Sequence, residues 1–441
     1  MARTGINRVL LHWLMYDPGG RRIVDQFDDG FINLARGFFD ATNDAQRLVA
    51  AEGLAKIVLL RHDMDDFAEL RREVRTMELM RTISYPRQTD HSAHSVYVFL
   101  LGIWLYAMSE QIRNTVGNRF HWSGDLLADF LFPWEFAGLL HDIGYIFAEL
   151  ASATPSSRRL VERLYQPARL TALLQPRDPS RGQDFLEFMS FIRRLKREAQ
   201  WDDPVYSRSD FPDQILNELR KLPWLSRLDL DVDAFELFQQ FKAATSIPAD
   251  GLEIYAYSVA ETGYDGHSRG EIDHAIASAL FMLQWSSYWY WLANETLNVS
   301  PDWYRRYFCR YGQGGPRLFD YLPENLTRDI VPILYSVACH NIIATRPEGR
   351  RLLPLRLAND PIAYLSILCD ELQKWDRFPA GRIYIQDLEG FAESSLASSD
   401  IRLTGGQVPR IQIRAHLDTR RRVCDALNER LADWQYIVRV G

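Results

Sequence analysis

The chain has 441 residues, of which 47% are hydrophobic, and this is enough apolar material for a large core divided among two or three domains. A net charge of −7 argues against broad electrostatic capture of nucleic acid. The four cysteines form neither a CxxC motif nor a disulfide framework, and the N-terminus lacks the apolar core of a signal peptide. We therefore expect a cytoplasmic protein.

Helical signals dominate from about residue 20 to about residue 380, and one strongly apolar helix is predicted over His91–Met108. Asp90 occupies the N-cap position of this helix. Its apolar stretch, residues 95–109, is shorter than the roughly 20 residues that a membrane span needs. The pattern therefore predicts a buried core helix and no membrane partner.

Two prolines indicate further helix starts. Pro133 fits the first turn of the helix that carries His141. Pro361 follows the cap residue Asp360 and fits the first turn of a helix over 362–375. Both helices are expected to belong to the core.

The pattern changes to period-two alternation after Arg377. Strands are predicted over 382–385 and 410–414, with Gly405-Gly406 as a turn signal between strand candidates. A final helix is predicted over 419–434. The chain is therefore expected to end in a small α+β appendage.

These patterns divide the chain into a helical core, an insertion and the appendage. Residues 151–262 are charged helices broken by Pro, Asp and Ser clusters, which is typical of an insertion between two halves of a core. The expected order is an N-terminal helical segment (1–89), the first half of the core (90–150), the insertion (151–262), the second half of the core (263–377) and the α+β piece (378–441).

Six potential metal ligands stand among apolar neighbours on predicted helices. They are His94, His141, Asp142, His274, His340 and Asp370. Any one of them alone is more typical of a hydrogen-bonded core residue than of a ligand. Six unrelated buried groups would each carry a separate desolvation cost, so the set as a whole predicts a metal site.

The adjacent pair His141-Asp142 suggests how many ions the site holds. Adjacent helix residues point about 100° apart, so the two side chains cannot address one ion in the same way. They can straddle two ions roughly 3.5–4 Å apart, with the carboxylate bridging both. Mixed imidazole and carboxylate ligands fit Mn²⁺, Fe²⁺, Zn²⁺ or Co²⁺ better than Mg²⁺ alone. We expect one or two divalent ions.

The chain resembles the HD-domain superfamily of metal-dependent phosphohydrolases. The matching residues are His94-Ser95 with Val98, Leu139-Leu140-His141-Asp142-Ile143-Gly144, His274 with Ser278-Ala279, His340-Asn341 and Leu368-Cys369-Asp370-Glu371, within about 90–145 and 265–377. The resemblance implies a mostly α fold with an HD-type helical bundle core, and hydrolysis of phosphate esters or anhydrides, often of nucleotides. It assigns the first ion to His94, His141, Asp142 and Asp370, and the second ion to Asp142, His274 and His340.

The chain departs from the superfamily pattern at three places. Tyr145 stands where some branches carry a lysine, and it is a candidate for substrate contact. His340-Asn341 replaces the two consecutive histidines of other branches. The segment 146–150 lacks the glycine- and histidine-rich continuation of some deoxynucleotide triphosphohydrolases. A catalytic imidazole for that substrate class would have to come from elsewhere.

Further candidates surround the predicted ligands. His91 lies three residues before His94 and fits a proton donor to a leaving oxygen, whereas the alternative is a solvent-exposed histidine. Arg87 suits bidentate phosphate binding, or is an ordinary surface arginine. His267 and Arg269 precede a predicted helix start and form either a phosphate-binding lip, with His267 as a second proton donor, or an ordinary loop.

The sequence thus predicts an enzyme that hydrolyses a phosphate bond in a nucleotide. A nucleoside or deoxynucleoside triphosphate is the first choice, because a large helical insertion can wall a compact pocket, and a cyclic mono- or dinucleotide is the second. A single-strand nuclease and a non-catalytic nucleotide sensor are the rival classes, and the acidic net charge weakens the nuclease. The sequence also allows a homo-oligomer.

Overall fold

The computed structural model describes residues 5–27, 30–60, 71, 91–119, 125–143, 275, 278, 282, 309–311, 317–320, 333–334, 336–337, 340, 354–359, 361–373, 375, 401–405, 408–413 and 417–441. The fold of these residues is mostly α with a small C-terminal appendage, as the sequence predicts. The expected insertion over 151–262 and the expected strand over 382–385 lie outside the described residues. The division into domains stays a prediction.

Among the described residues, the N-terminal part of the fold contains the helices α1 (Ile6–Tyr16), α2 (Pro18–Val24), α3 (Gly30–Phe39) and α4 (Asp44–Leu60). Ile6, Leu10 and Trp13 are buried and recur at helical spacing along α1. Asp17 ends α1 and caps α2, since its Oδ1 accepts the Gly19 N–H at 2.8 Å. The α3 and α4 helices pack against each other, and α4 also contacts the central helix of the core.

The core is built on α5 (His91–Met108), followed by α6 (Glu110–Arg119) and α7 (Leu126–Leu140). Every residue from 91 to 106 is buried, so the predicted core helix is confirmed with its predicted bounds. Within the described residues, no single helix is long and apolar enough to cross a membrane; α5 and α6 pass that test only together, with a 97° bend between them.

The α5 and α7 helices run antiparallel and approach each other closely at two glycines. A Cβ on Gly102 would lie 1.9 Å from the Trp134 ring, and a Cβ on Gly138 would lie 3.2 Å from Phe99 Cα. Trp134 Nε1 donates a hydrogen bond to Phe99 O at 3.0 Å. This packing brings the beginning of α5 to the end of α7.

Two details of α7 correct the sequence analysis. The helix begins at Leu126 with Asp125 as its cap, so Pro133 lies in the helix interior and not in the first turn. An interior proline costs a helical hydrogen bond, and burial of nearly the whole apolar run from 127 to 140 offsets that cost. His141 is the C-cap residue, and Asp142 lies in the turn that follows.

A β-hairpin interrupts the region that the sequence analysis interpreted as helical. Strands β1 (Cys309–Tyr311) and β2 (Arg317–Asp320) pair antiparallel, with Cys309 opposite Asp320. Three glycines and a proline stand between the strands, at positions 312, 314, 315 and 316. These residues disfavour a helix and favour a tight connection, which explains why strands occur in a region where helical signals dominate.

A further helix of the core is α8 (Pro361–Leu372), which begins at the predicted proline and ends three residues before its predicted end. The appendage contains β3 (Ile401–Thr404), β4 (Arg410–Ile413), α9 (Leu417–Arg430), α10 (Trp434–Ile437) and β5 (Arg439–Val440). The sheet order is β3-β4-β5, antiparallel and then parallel. The single helix predicted over 419–434 is broken before Asp433, whose φ of 59° is incompatible with a continuing helix.

Buried polar contacts hold the appendage against α8. Arg430 Nη1 lies 2.6 Å from Glu371 Oε1, and both side chains are almost fully buried. The Tyr364 hydroxyl donates to Ala432 O at 2.8 Å. The last turn of α9 is therefore fixed to the helix that carries Asp370.

Candidate metal centre

Buried Arg71 joins the two helix ends at which the predicted ligands lie. Its Nη1 donates to Leu139 O at 2.6 Å, at the end of α7, and its Nη2 donates to Ser92 O, in the first turn of α5. Its Nε lies 3.4 Å from Glu52 Oε1 on α4. Carbonyl groups at a helix C-terminus lack helical partners, so the guanidinium satisfies one of them and fixes the ends of α5 and α7 together.

His94, His141 and Asp142 form a buried group whose potential ligand atoms all lie within 4.8 Å of one another. The two imidazole Nε2 atoms are 3.4 Å apart. Asp370, from α8, joins them, with its Oδ1 at 2.9 Å from His94 Nε2. The four residues that the resemblance assigns to a first ion are therefore together in the fold.

The two carboxylate oxygens of Asp142 face different imidazoles. Asp142 Oδ2 lies 3.0 Å from His91 Nδ1, 3.4 Å from His141 Nε2 and 3.7 Å from His94 Nε2. Asp142 Oδ1 lies 3.3 Å from His340 Nε2. This arrangement fits a carboxylate that bridges two positions.

His141 and His340 have the same orientation toward the backbone. His141 Nδ1 lies 3.2 Å from Gly138 O, and His340 Nδ1 lies 2.6 Å from Val337 O. A carbonyl oxygen only accepts hydrogen bonds, so each Nδ1 carries the proton and donates it. In the neutral ring the Nε2 atom then holds a lone pair directed at Asp142.

The tautomer of His94 is fixed by a side chain. His94 Nδ1 lies 2.5 Å from Gln373 Oε1, and Gln373 Nε2 donates to Trp375 O at 2.6 Å. The second bond orients the amide, because the Trp375 carbonyl requires a donor. Gln373 therefore accepts from the His94 Nδ1–H, and the neutral His94 ring also directs its Nε2 lone pair toward the cluster.

The pKa values agree with this orientation. Burial lowers the pKa of His141 to about 3, so its ring is neutral at pH 7. Burial opposes ionisation of Asp142, yet the surrounding imidazoles, His141 first, hold its pKa well below the usual value. Burial also opposes protonation of His340, but the contacts with Asp142 raise its pKa above that of a free histidine.

The buried group of His94, His141 and Asp142 could hold a metal ion. Imidazole lone pairs and carboxylate oxygens face each other at 2.9–3.7 Å, which is repulsive unless a proton or a metal ion lies between them. The contacts with Asp142 raise the pKa of His340, which favours a proton on this ring. Three imidazoles and two carboxylates are ligands that Mn²⁺, Fe²⁺, Zn²⁺ and Co²⁺ accept.

The structure brings together six of the predicted site residues and leaves the rest untested. Those in the cluster are His91, His94, His141, Asp142, His340 and Asp370. Those outside the described residues are Arg87, Tyr145, His267, Arg269 and His274. Ala275 and Ser278, which follow His274, are helical and buried.

Sequence analysis missed Gln373 and Arg71. Gln373 is fully buried. Its position three residues after a candidate ligand was the available signal, since residues i and i+3 share a helix face. Nothing in the sequence around Arg71 distinguishes it from a surface arginine.

Comparisons with known proteins found no match for this chain. No family model matches the chain, and neither the curated proteins nor the solved structures contain a significant match. The HD-domain resemblance therefore depends on the residues of the cluster and stays a prediction.

Proposed function

We propose that this chain is an HD-type, metal-dependent phosphohydrolase that cleaves a phosphate ester or anhydride of a nucleotide. A nucleoside or deoxynucleoside triphosphate is the preferred substrate. One observation supports the proposal most: side chains from four separate segments direct imidazole lone pairs and carboxylate oxygens toward one buried place. A purely structural core gains nothing from this arrangement, because each buried polar group costs free energy.

The roles of the side chains follow from their contacts. Divalent ions held by such ligands neutralise charge on phosphate oxygens and activate water for attack on phosphorus. His94, His141 and Asp370 are the proposed ligands on one side of Asp142, and the appropriate tautomers of the rings are already fixed. Prior orientation of ligands lowers the entropy cost of binding an ion.

His91 has a narrower role than the sequence alone suggests. Its Nδ1 lies 3.0 Å from Asp142 Oδ2, so this nitrogen donates to the carboxylate and helps to orient it. Only Nε2 is then available to give a proton to a leaving oxygen. We propose that His91 orients Asp142 and retains proton donation through Nε2 as a second role.

A cyclic mono- or dinucleotide phosphodiesterase is the second candidate. His340 favours this candidate. Its Nε2 faces Asp142 Oδ1, whereas the Nε2 atoms of His94 and His141 face Asp142 Oδ2. This geometry suits a second ion, and two ions can stabilise the attacking and the leaving oxygen of the same displacement. Manganese as the ion in cells, a cytoplasmic location and a homo-oligomer are further proposals.

The test is a substrate screen of the full chain after removal of bound metal and reloading with Mn²⁺, Fe²⁺, Zn²⁺ or Co²⁺. The substrates are dNTPs, NTPs, cyclic mono- and dinucleotides and single-stranded DNA, and the products are resolved by mass spectrometry. We expect metal-dependent cleavage of a phosphate bond in a nucleotide. Ion binding without turnover of any substrate would indicate a nucleotide sensor, and strongly salt-dependent cleavage of DNA would indicate a nuclease.

A further inference from the structure

A second concave site lies at the other end of α5, far from the candidate metal centre. A cavity of about 770 Å³ opens between α2, the end of α5, α6 and the beginning of α7. Between His94 and Ala107, which lines this cavity, the helix rises about 20 Å. The volume falls within the range of small-molecule sites, which is roughly 300–1,000 Å³.

The cavity combines guanidinium groups with an apolar wall. Arg22 and Arg113 carry two positive charges, and Asp125 is the single carboxylate among the described residues that line it. Ile23 and Leu127 are buried apolar residues of the same wall. The lining therefore has a net positive charge beside an apolar surface.

Arg22, from α2, and Arg113, from α6, both line the cavity beside Tyr106. Burial raises the pKa of the Tyr106 hydroxyl to about 12, and Arg113 and Arg22 both oppose this rise. Arg113 Nη1 donates to the carbonyl oxygens of Tyr106 and Ala107, so this guanidinium is held in position by the end of α5. Arg22 is 72% exposed and reaches Asp125 only at 4.0 Å, so it can turn toward a bound anion.

A buried donor lies behind the cavity wall. Trp13 is 5% exposed, and its Nε1 has no hydrogen-bond acceptor among the described residues. This nitrogen lies 3.9 Å from the position that a Cβ would take on Gly19, and Ala107 Cβ lies 4.0 Å from the same position. The nearest atom to that position is Asp17 Oδ1, at 3.1 Å, so a side chain at Gly19 would crowd the cap of α2. Gly19 and Ala107 both line the cavity, which places the unsatisfied Trp13 N–H close behind its wall.

We propose that this cavity binds a small organic anion with an apolar or aromatic body. Its phosphate or carboxylate group lies between Arg22 and Arg113, where two guanidinium groups offer charge-assisted hydrogen bonds. Its body packs against the apolar wall formed by Ile23, Ala107 and Leu127. The site is separate from the metal centre and does not depend on the function proposed for it.

Isothermal titration calorimetry of the full chain in the presence of a chelator tests the site. The probes are phenyl phosphate, benzoate and inorganic phosphate. We expect saturable binding of phenyl phosphate or benzoate, with the stronger of the two identifying the anionic group, and weaker binding of inorganic phosphate because it lacks the body. The Asp142→Asn variant, which alters the metal centre, should bind the probes as the wild type does. Unchanged binding in this variant shows that the probes occupy the cavity and not the metal centre.

Three variants determine where the probe binds. Arg22→Ala should weaken binding at least about fivefold, since it removes a charged hydrogen-bond donor. Arg21→Ala is the matched control, because Arg21 is exposed, pairs with Asp25 and does not line the cavity. Ala107→Leu should block the apolar part and abolish binding of the aromatic probes. Absence of saturable binding, equal effects of the two arginine variants, or loss of binding in Asp142→Asn would overturn the proposal.

Discussion

His94 and Gln373 lie 279 residues apart in the sequence, yet His94 Nδ1 is 2.5 Å from Gln373 Oε1 in the core. Gln373 follows Asp370 at the end of α8. This segment therefore supplies one candidate ligand, Asp370, and orients a second one, His94, through Gln373. The relationship explains why a buried glutamine stands in a segment that otherwise has the composition of a solvated helix end.

Replacement of Gln373 by Leu removes the acceptor of the His94 Nδ1–H bond and leaves a side chain of similar size. We expect the affinity for Mn²⁺ or Zn²⁺ to fall about 10- to 100-fold, which is the usual effect of losing a residue that orients a metal-binding imidazole. Titration calorimetry measures the affinity, and circular dichroism verifies the fold. Gln373→Glu keeps an acceptor for the His94 Nδ1–H but loses the donor to Trp375 O, so it should retain more of the affinity than the Leu variant. Equal affinities of the Leu variant and the wild type would exclude this role.

Replacement of Asp142 by Asn removes the carboxylate that four imidazoles face. We expect loss of metal binding and of phosphohydrolase activity, because the amide cannot supply the negative charge between the rings. Metal content by mass spectrometry and turnover of the substrate found in the screen are the measurements. Asp25→Asn is the control, since Asp25 is an exposed carboxylate in a surface pair. A metal-loaded, active Asp142→Asn protein would refute the site.

Binding of the ion should stabilise the fold. A ligand that binds only the folded chain, at a free concentration about 100 times its Kd, contributes about 2.7 kcal/mol. We therefore expect Tm to rise on addition of Mn²⁺ or Zn²⁺ and to return on addition of a chelator. Differential scanning calorimetry provides the measurement, and His12→Asn, at an exposed histidine, should respond as the wild type does. A Tm that is independent of every divalent ion would contradict the metal centre.

The metal-free chain should lose stability in mild acid, and His141 is the main reason. Its pKa is about 3 in the folded chain because of burial, whereas a histidine in the unfolded chain titrates near pH 6.5. Between these values the unfolded chain binds a proton that the folded chain does not, so the free energy of unfolding falls as the pH drops from about 6.5 toward 3. The depressed pKa of Asp142 adds a further loss at lower pH.

His340 acts in the opposite direction. The pKa of His340 is raised in the folded chain, so this residue adds to the free energy of unfolding below about pH 6.5. The added stability is lost as the pH rises through the raised pKa. Urea unfolding at pH 6.5, 5.5 and 4.5 measures the sum of both effects. We expect His141→Asn to lose less stability than the wild type over this interval. An equal loss in His141→Asn and in His12→Asn would show that His141 does not carry the acid sensitivity.

The buried pair Arg430–Glu371 should stabilise the contact between the appendage and α8. Arg430→Met leaves the Glu371 carboxylate without this partner, and we expect the free energy of unfolding to fall by about 2–4 kcal/mol. The equivalent change at the exposed Arg21, Arg21→Met, should cost less than about 0.5 kcal/mol. Chemical denaturation provides both values. Similar small effects at the two positions would mean that the buried pair adds no net stability.

Local properties of the sequence determined much of this protein. The apolar run that becomes α5 predicted its bounds, Pro361 predicted the beginning of α8, and the alternation over 410–414 predicted β4. The candidate ligands were identified because imidazole and carboxylate groups in apolar runs are costly to bury without a partner. These signals act over a few residues, so they can be read without knowing which segments meet.

Only the tertiary structure decided which of those groups meet. Antiparallel packing of α5 and α7, permitted by Gly102 and Gly138, brings His94 to His141, and α8 adds Asp370. The interior position of Pro133, the role of Gln373 and the cavity at the other end of α5 depend in the same way on contacts between distant segments. Helical periodicity and desolvation costs are local, whereas a shared site requires close packing between segments that are far apart in the chain.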